Sequence, residues 1–393
     1  MTPRQFLMLL AMVAIIGSAS SANAQLYVFN GTESQVTTDS ADQFDPHVSS
    51  QLIVYSDRRG ADADIYAWDL VADSEIQITS GGGDQFFNDV WEHRVVYTDF
   101  GSGQADIYLY KSVTQPQVQL TNDPANQRNP AIDGEYVVYE DDRNGNYDIY
   151  LVDITTLGET RITTDTNHQR NPAINGDIII WEDYRSGNAD IYAYDIGGDS
   201  IWAVTNDPAQ DREPDIDGDI IVFGSNRSSL GDIYCYQISA GTTFAVTSGT
   251  DYERNPAVSG DFVAYESYAG GDADIYLYSI PLMISEQVTL DSDEQYLHDL
   301  YDNRIAYTDN RNDNLDIYEF VFQFEGYICG DVDGSGGNPD VGDLTYLVAY
   351  LFQSGPPPPV LKAANVDGST TIDVGDLTYL VAYLFQGGPP PVC

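Results

Sequence analysis

The chain has 393 residues, a length that allows two or three domains. Its 62 acidic residues, set against 16 lysines and arginines, give a formal net charge of −46. A nucleic-acid-binding surface needs a basic footprint, so this composition excludes nucleic acid as an expected partner.

The first 24 residues have the pattern of a secretory signal peptide. Arg4 supplies the basic region, an apolar stretch runs from Phe6 to Ile16, and Ala22-Asn23-Ala24 forms the cleavage site. The stretch is shorter than the roughly 20 residues that a membrane span needs. We therefore expect a mature protein from Gln25 that is secreted, extracellular or associated with a bacterial or archaeal cell surface, without a transmembrane anchor.

The tripeptide Asp-Ile-Tyr then recurs seven times at a constant spacing of 42 residues. Its aspartates are Asp64, Asp106, Asp148, Asp190, Asp232, Asp274 and Asp316. A repeat of about 40–45 residues made of short strands is typical of a β-propeller with four strands per blade. The sequence thus predicts a mainly β fold, a seven-bladed propeller over residues 25–325.

One unit shows the expected strands, at Pro130–Asp133, Tyr136–Tyr139, Asp148–Ile154 and Thr160–Thr164. The last unit, Gln295–Phe322, lacks a fourth strand, whereas Leu26–Asp39 resembles the third and fourth strands of a unit without its beginning. We expect the N-terminal strand to complete the last blade, which leaves no open sheet edge.

The units resemble TolB-like propellers and the propeller repeats of archaeal and bacterial surface proteins. The shared features are "NPAI-G-", "W/YED-R-GN-DIY" and a closing "RIT", and they extend from Leu26 to about Phe324. The resemblance implies the fold but no activity, because propellers include both binding proteins and enzymes. The acid and arginine of the turn recur in most blades, so we interpret them as structural.

Departures from the repeat are better candidates for function. The position twenty residues before each Asp-Ile-Tyr aspartate holds Phe44, Phe86, Arg128, Arg170, Arg212, Arg254 and Tyr296. We expect these side chains on one rim of the central channel, where arginines could grip a carboxylate or sulfate and aromatics could stack on sugar rings. In the alternative interpretation, each arginine pairs with an acid of a neighbouring blade, such as Glu213 or Glu253.

Catalytic motifs are missing from the sequence. It contains no Gly-x-Ser-x-Gly elbow, metalloprotease helix or Cys-x-x-Cys pair. His47 and His298 fall near the predicted channel on adjacent blades and could build a site. Carboxylates are too numerous to single out a catalytic pair, so we predict no catalytic residue.

The C-terminal segment contains two copies of a loop and an amphipathic helix, with "DVGDLTYLVAYLF" in both. Calcium loops place oxygen ligands at positions 1, 3, 5, 7, 9 and 12. In the second copy these are Asn365, Asp367, Ser369, Thr371, Asp373 and Asp376; the first copy offers Asp331, Asp333, Ser335, Asp340 and Asp343, with one extra residue in the loop. We expect two calcium ions and metal-dependent folding of this module.

Helical spacing divides the repeated helices into two faces. Leu377, Leu380, Val381 and Leu384 share the face expected to pack the two copies together. The tyrosine pairs, Tyr346 with Tyr350 and Tyr379 with Tyr383, are the predicted partner surface, or alternatively they cover the proline-rich segments. Cys329 and Cys393 bracket the module and could form a disulfide, whereas Cys235 is expected to be buried.

Two loop–helix copies over Gly330 to about Val392 resemble a type I dockerin, which implies a module at residues 326–393 that binds calcium and docks to a cohesin. The pairs at the positions that help to select the cohesin are Val341-Gly342 and Val374-Gly375, where many members carry hydroxyl groups. Attachment to another surface protein, or self-assembly, is equally open.

Three functions remain open from the sequence. The first is a secreted, non-catalytic binding protein whose propeller binds a glycan or a protein. The second is a polysaccharide hydrolase or lyase carried by a docking module. The third is a periplasmic TolB-like scaffold.

Overall fold

The computed structural model describes residues 30–112, 114–228, 230–323, 330–335, 339–353, 355–358, 361–367, 372–389 and 391. The chain divides into two compact units. The larger contains Glu33–Tyr278 and Ser285–Val321, and the smaller includes the segment from Phe322 onwards. Within the described ranges, none of the helices combines the length and the apolar character that crossing a bilayer requires.

The larger unit is built from strands that follow the 42-residue repeat. Strand β1 (Asn30–Gln35) comes first. Blade 1 has β2 (Gln43–Val48), β3 (Leu52–Asp57), β4 (Asp64–Asp69) and β5 (Ser74–Gln77); blade 2 has β6 (Gln85–Trp91), β7 (Arg94–Asp99), β8 (Asp106–Tyr110) and β9 (Val118–Gln119); blade 3 has β10 (Gln127–Asp133), β11 (Tyr136–Asp141), β12 (Asp148–Asp153) and β13 (Gly158–Arg161); blade 4 has β14 (Gln169–Asn175), β15 (Ile178–Asp183), β16 (Asp190–Asp195) and β17 (Ser200–Ala203).

Blade 5 has β18 (Asp211–Asp217), β19 (Ile220–Ser225), β20 (Asp232–Gln237) and β21 (Thr242–Ala245); blade 6 has β22 (Glu253–Ser259), β23 (Phe262–Ser267), β24 (Asp274–Ser279) and β25 (Ile284–Gln287); blade 7 has β26 (Gln295–Tyr301), β27 (Arg304–Asp309) and β28 (Asp316–Gln323). Each blade is a four-stranded sheet, and the sheet of blade 7 has the order β1-β28-β27-β26. The seven-bladed propeller and its closure by the N-terminal strand are therefore confirmed.

The core lies between neighbouring blades. The second strand of a blade reads as a continuous apolar run because both of its faces are covered, and β3 is buried at every position. One cluster joins Val54 and Ile65 of blade 1 to Val95 and Tyr97 of blade 2. Each blade thus buries its apolar faces against the next one, so the ring needs all seven.

The outer strand of blade 3 ends earlier than its sequence predicts. It spans Gly158–Arg161 rather than Thr160–Thr164. The amides of Ile162 and Thr163 both donate to the carbonyl of Ile149, at 2.8 and 3.3 Å, and this shared acceptor ends the regular ladder. The chain leaves the strand at that point and crosses to the next blade.

The recurrent turn residues hold together the blades that carry them. In blade 3, the Arg143 guanidinium donates to Asp141 and to Glu159 and stacks over Tyr150, with 4.4 Å between the guanidinium carbon and the ring centroid. In blade 5 the strand residue is Ser225, and Arg227 donates instead to Asp211 on the first strand, at 2.9 Å. The arginine thus binds a carboxylate of its own blade even where that carboxylate lies on a different strand. We therefore interpret the pair as structural, as expected.

The smaller unit contains helices α1 (Val341–Phe352), α2 (Leu361–Ala364) and α3 (Val374–Gln386). Both long helices begin with a capping box, in which Asp340 and Asp373 are the N-caps and Asp343 and Asp376 reach back to the cap amides. Val332, Leu347, Ala364, Val366 and Leu380 form the core between them.

Candidate functional site

The first strands of the seven blades enclose a central cavity of about 910 Å³. The middle position of these strands is occupied by alanine in blades 3, 4 and 6 (Ala131, Ala173 and Ala257). In blades 1, 2, 5 and 7 it is occupied by His47, Asp89, Asp215 and Asp299. The wall is therefore ionisable over part of its circumference and apolar over the rest.

The three channel aspartates also join the blades. Each carboxylate accepts a backbone amide of the following blade: Asp89 from Ile132, Asp215 from Val258 and Asp299 from Val48, all at 2.7 Å. Burial raises the pKa of Asp215 to about 7 and that of Asp89 to about 6, and it also raises the pKa of Asp299. Asp89 and Asp215 therefore change protonation close to neutral pH.

His47 lies between two of these carboxylates. Its Nδ1 is 3.6 Å from Asp89 and 3.8 Å from Asp299. Burial lowers the pKa of His47, but the carboxylates outweigh burial and hold it above its usual value. Burial lowers the pKa of His298 to about 4, although its Nδ1 is 3.7 Å from Asp45. The channel thus contains both histidines that the sequence predicted there, and their pKa values are shifted in opposite directions.

The seven predicted rim residues occupy the second position of the first strands. A β-bulge follows in each strand, and in blade 3 it places Asn129 at φ 55°. Among the described residues, the alternative pairing with an acid of a neighbouring blade is found for Arg170 alone, which lies 3.5 Å from Glu140 of blade 3, whereas the other arginines contact groups of their own blades. Arg254 donates to Glu266 at 2.8 Å, and Arg212 donates to Gln210 at 3.0 Å. The acids Glu213 and Glu253 form no ion pair with these arginines in the described structure.

The aromatic rim residues are engaged with their own blades. Phe86 packs against Phe87 and Phe100, with ring centroids 4.8 Å apart in both pairs. Phe44 is covered by the Arg58 guanidinium at 4.8 Å, and the Tyr296 hydroxyl donates to Glu294. A second cavity, of about 320 Å³, is lined by Phe44, Arg254 and Tyr296 among others, so the structure brings these three predicted residues together.

Tyr147 is a candidate site residue that the sequence did not predict. The guanidinium carbons of Arg128 and Arg170 lie 4.4 and 4.8 Å from its ring centroid. The repeat contained the signal, because the equivalent residues are Ala63, Ala105, Ala189, Gly231, Ala273 and Leu315. Tyr147 is thus the one aromatic residue at a position where the other six blades carry small or aliphatic side chains.

The first predicted calcium loop brings three carboxylates together. Oxygens of Asp331, Asp333 and Asp343 lie within 4.8 Å of one another. The Asp343 carboxylate accepts the amides of Asp333 and Asp340, at 3.1 and 2.7 Å. Ser335 is exposed, and its amide donates to Asp333 at 3.0 Å.

The second loop repeats this arrangement. Asp376 accepts the amides of Val366 and Asp373, both at 2.8 Å. A Cβ on Gly375 would lie 2.6 Å from an Asp367 oxygen, as one on Gly342 would lie 2.8 Å from an Asp333 oxygen. Asn365 is described, whereas Ser369 and Thr371 lie outside the described residues. Burial raises the pKa of Asp343 and that of Asp376.

The tyrosines of the smaller unit do not form a fully outward face. Tyr346, Tyr350, Tyr379 and Tyr383 are half-buried and pack against the core of the unit. The Tyr346 hydroxyl donates to the carbonyl of Pro357 at 3.2 Å, so this tyrosine does contact a proline-rich segment. On the described parts of α1 and α3, the exposed large apolar side chains are Val341, Phe352, Val374 and Phe385, two pairs 33 residues apart.

The predicted disulfide cannot be placed, because Cys329 and Cys393 lie outside the described residues. Cys235 is buried with a free thiol, as expected. Burial raises the pKa of this thiol to about 12, which leaves it unreactive at neutral pH.

No protein-family model matches the chain. No curated protein matches its sequence. Among solved structures, an oligogalacturonate lyase in complex with manganese is 12% identical with a TM-score of 0.60, covering 75% of this chain and 94% of that one. The β-propeller domain of the Trilobed protease from Pyrococcus furiosus is 11% identical with a TM-score of 0.58, covering 73% and 99%. At these identities the similarity shows the propeller fold alone.

TolB from Acinetobacter baumannii is 22% identical with a TM-score of 0.47. The match covers 60% of this chain and 63% of the TolB chain.

Proposed function

We propose that the protein is a secreted, non-catalytic binding protein. Its propeller is the ligand-binding domain, and its C-terminal unit is a calcium-dependent docking module. The observation that carries this proposal is the duplicated carboxylate loop ahead of each long helix.

Oxygen donors support calcium as the ion. Asp331, Asp333 and Asp343 present carboxylate oxygens within 4.8 Å of one another. Calcium is a hard cation and prefers oxygen ligands of this kind. The second loop places Asp367 and Asp376 in the same relation to its helix. The described ends of the two loops share these contacts, which favours one ion in each, and carboxylates this close repel one another without a cation.

The proposed ligands also cap the helices. Asp343 and Asp376 are each buried at the first turn, and the loop amides converge on their carboxylates. Binding of calcium at these carboxylates would therefore order the loop and the helix together, since metal-binding free energy adds to folding free energy.

Titration calorimetry of the full chain tests the metal. We expect calcium to bind at two sites, one of them lost in Asp343→Asn and one in Asp376→Asn, because an amide oxygen is a weaker ligand than a carboxylate. Asp177→Asn, an exposed change on the propeller, is the control and retains both sites. A wild-type protein that takes up no calcium contradicts the proposal.

Docking to a cohesin-like or cell-surface protein is the role that this module would serve. The exposed pairs Val341 with Val374 and Phe352 with Phe385 provide an apolar surface on each helix copy, next to the half-buried tyrosines. Their repetition supports a surface that a partner could approach through either copy. The partner interaction should require calcium.

A polysaccharide hydrolase or lyase is the second candidate. The observation that favours it is the channel, where Asp89 and Asp215 have pKa values of about 6 and 7, a range suited to proton transfer. Incubation of the protein with acidic and neutral polysaccharides distinguishes the candidates. Release of oligosaccharides that disappears in Asp215→Asn would favour the enzyme over the binding protein.

A further inference from the structure

Tyr147 forms the centre of a cationic cluster that interrupts the symmetry of the ring. Arg128 of blade 3 and Arg170 of blade 4 both stack on its ring, at 4.4 and 4.8 Å. The ring of His168 lies 5.5 Å from it, with the imidazole Nδ1 accepting the Tyr147 amide at 3.1 Å. In a chain of net charge −46, two arginines at one aromatic ring form a local site of the opposite sign.

The two arginines share one acid. Nε of Arg128 and Nε of Arg170 are each 3.5 Å from the same oxygen, Oε2 of Glu140. That oxygen is buried and accepts no hydrogen bond among the described residues, and neither does the buried Nε of Arg170 donate one. Oε1 of Glu140 accepts the Asn171 amide at 2.8 Å, so this glutamate is committed to joining the blades.

Within the described part of the chain, the other two rim arginines do not share an acid or an aromatic ring with each other. Arg254 donates to Glu266 at 2.8 Å, and Arg212 donates to Gln210 at 3.0 Å. Two guanidinium groups that share one carboxylate keep further N–H donors, and these suit a planar oxyanion. The stacked tyrosine fixes the guanidinium planes, which lowers the entropy lost on binding.

We propose that Arg128, Tyr147 and Arg170 form a clamp for the carboxylate of an acidic saccharide. The saccharide is favoured because blade 2, which adjoins blade 3, carries the exposed ring of Phe87 next to the rim residue Phe86, and a sugar can stack on such a ring. The inference rests on the proposed role of the propeller as the ligand-binding domain and adds the class of ligand and the residues that select it.

Calorimetry with a trisaccharide of uronic acids tests the clamp in the full chain. We expect Arg170→Ala to weaken binding by about tenfold or more, because hydrogen bonds to charged groups are among the strongest in proteins. Tyr147→Ala should weaken it as well, and alanine is the residue of four other blades at that position, so the fold accepts it. Arg170→Lys keeps the positive charge but lacks the parallel N–H donors of a guanidinium, so it should recover little of the lost affinity.

Lys111→Ala is the control, because it removes one positive charge beyond the end of β8, outside the rim positions. It should leave the affinity within about twofold if binding depends on local contacts rather than on net charge. The trisaccharide with its carboxylates reduced to alcohols should not bind measurably. A sulfated neutral trisaccharide that binds as tightly as the uronate would assign the clamp to sulfate instead.

Two results overturn the proposal. One is a wild-type protein that binds no uronate, and the other is equal binding by wild type, Arg170→Ala and Tyr147→Ala. In the second case the propeller still binds a ligand and its proposed role survives. Loss of calcium binding, measured separately, would affect the docking module and leave the clamp intact.

Discussion

Glu213 and Gly224 show how a single position is compensated within one blade. In blades 3, 4 and 6 a second-strand glutamate accepts an asparagine side chain of its own blade and an amide of the next blade; the pairs are Asn129 with Glu140, Asn171 with Glu182 and Asn255 with Glu266. Blade 5 has Gly224 at the glutamate position and Glu213 at the asparagine position. There the Glu213 carboxylate accepts the next blade's amide, Asn255, at 2.8 Å. In blade 5 the carboxylate comes from the first strand instead of the second, and the hydrogen bond to the backbone of blade 6 is retained.

This exchange predicts a rescue. Glu213→Ala removes the acceptor of the Asn255 amide and should lower the free energy of unfolding by about 1–3 kcal/mol. Glu213→Asn combined with Gly224→Glu recreates the arrangement of the other blades and should recover most of the loss. Urea unfolding followed by tryptophan fluorescence measures both variants.

Glu213→Asn alone separates the two contributions. Residue 213 has φ 55°, a conformation that asparagine adopts more readily than glutamate, so any remaining loss reports the missing carboxylate. A double variant no more stable than Glu213→Asn would show that the two positions are not coupled.

At the scale of the element, β1 is the strand that closes the ring. Its Glu33 accepts both terminal nitrogens of Arg311, at 2.8 and 3.0 Å, together with the Tyr307 hydroxyl. Glu75 and Glu159 make the same contacts inside blades 1 and 3. A strand some 280 residues away in sequence thus repeats the bonds of an ordinary outer strand.

Closure can be tested through Glu33→Ala. The variant leaves Arg311 with fewer acceptors and should destabilise the protein by about 1–3 kcal/mol, and it should also speed proteolysis near residue 35. Glu75→Ala is the matched control, since it removes the same contacts where no chain terminus is involved. Faster cleavage at the N-terminal strand in both variants, or in neither, would argue against a special role for Glu33 in closure.

The element scale also shows where sequence patterns give the wrong bounds. The second strand of blade 3 begins at Tyr136 as predicted, because a continuous apolar run is required wherever both faces are covered, but β11 continues two residues past Tyr139. The outer strand β13 begins two residues and ends three residues before its predicted bounds, because two amides share the carbonyl of Ile149 where the strand ends. That hydrogen bond joins residues of different strands and has no signature in the apolar pattern.

At the scale of the whole molecule, ring closure gathers ionisable groups that are far apart in sequence. His47 and Asp89 of blades 1 and 2 meet Asp299 of blade 7, with Asp215 of blade 5 also lining the cavity. Burial and the neighbouring Asp299 and Asp217 carboxylates hold the pKa of Asp215 at about 7. An unfolded aspartate titrates near about 3.9, so the folded protein binds this proton more tightly.

The raised pKa of Asp215 makes the stability of the folded protein depend on pH. Asp215 contributes stability that is present below its unfolded pKa and is lost as pH rises through about 7. Asp215→Asn retains an acceptor for the Val258 amide and does not titrate. Its unfolding free energy relative to wild type should therefore increase by about 2 kcal/mol between pH 5 and pH 8.

Chemical denaturation at the two pH values measures this difference. Asp177→Asn, an exposed substitution, is the control for a general effect of removing one negative charge. An equal change in both variants would show that the burial of Asp215 does not determine the effect.

The 42-residue repeat was sufficient to predict the propeller, the number of blades, the strand that closes the ring and the polar turn that most blades share. This was possible because every blade buries the same faces with similar residues at the same spacing, so the pattern occurs seven times. The two loop–helix copies of the C-terminal unit were evident for the same reason.

The residues that depart from the repeat come together only in the folded ring, and the sequence did not predict which of them would meet. The choice of Glu140 rather than Glu213 as the acid beside Arg128 and Arg170, the stacking of both on Tyr147, and the meeting of His47 with Asp299 all depend on contacts between blades. The half-buried tyrosines of the C-terminal helices likewise depend on how the two copies pack. A repeat fixes positions within one blade, whereas distances between side chains of different blades exist only once the ring has closed.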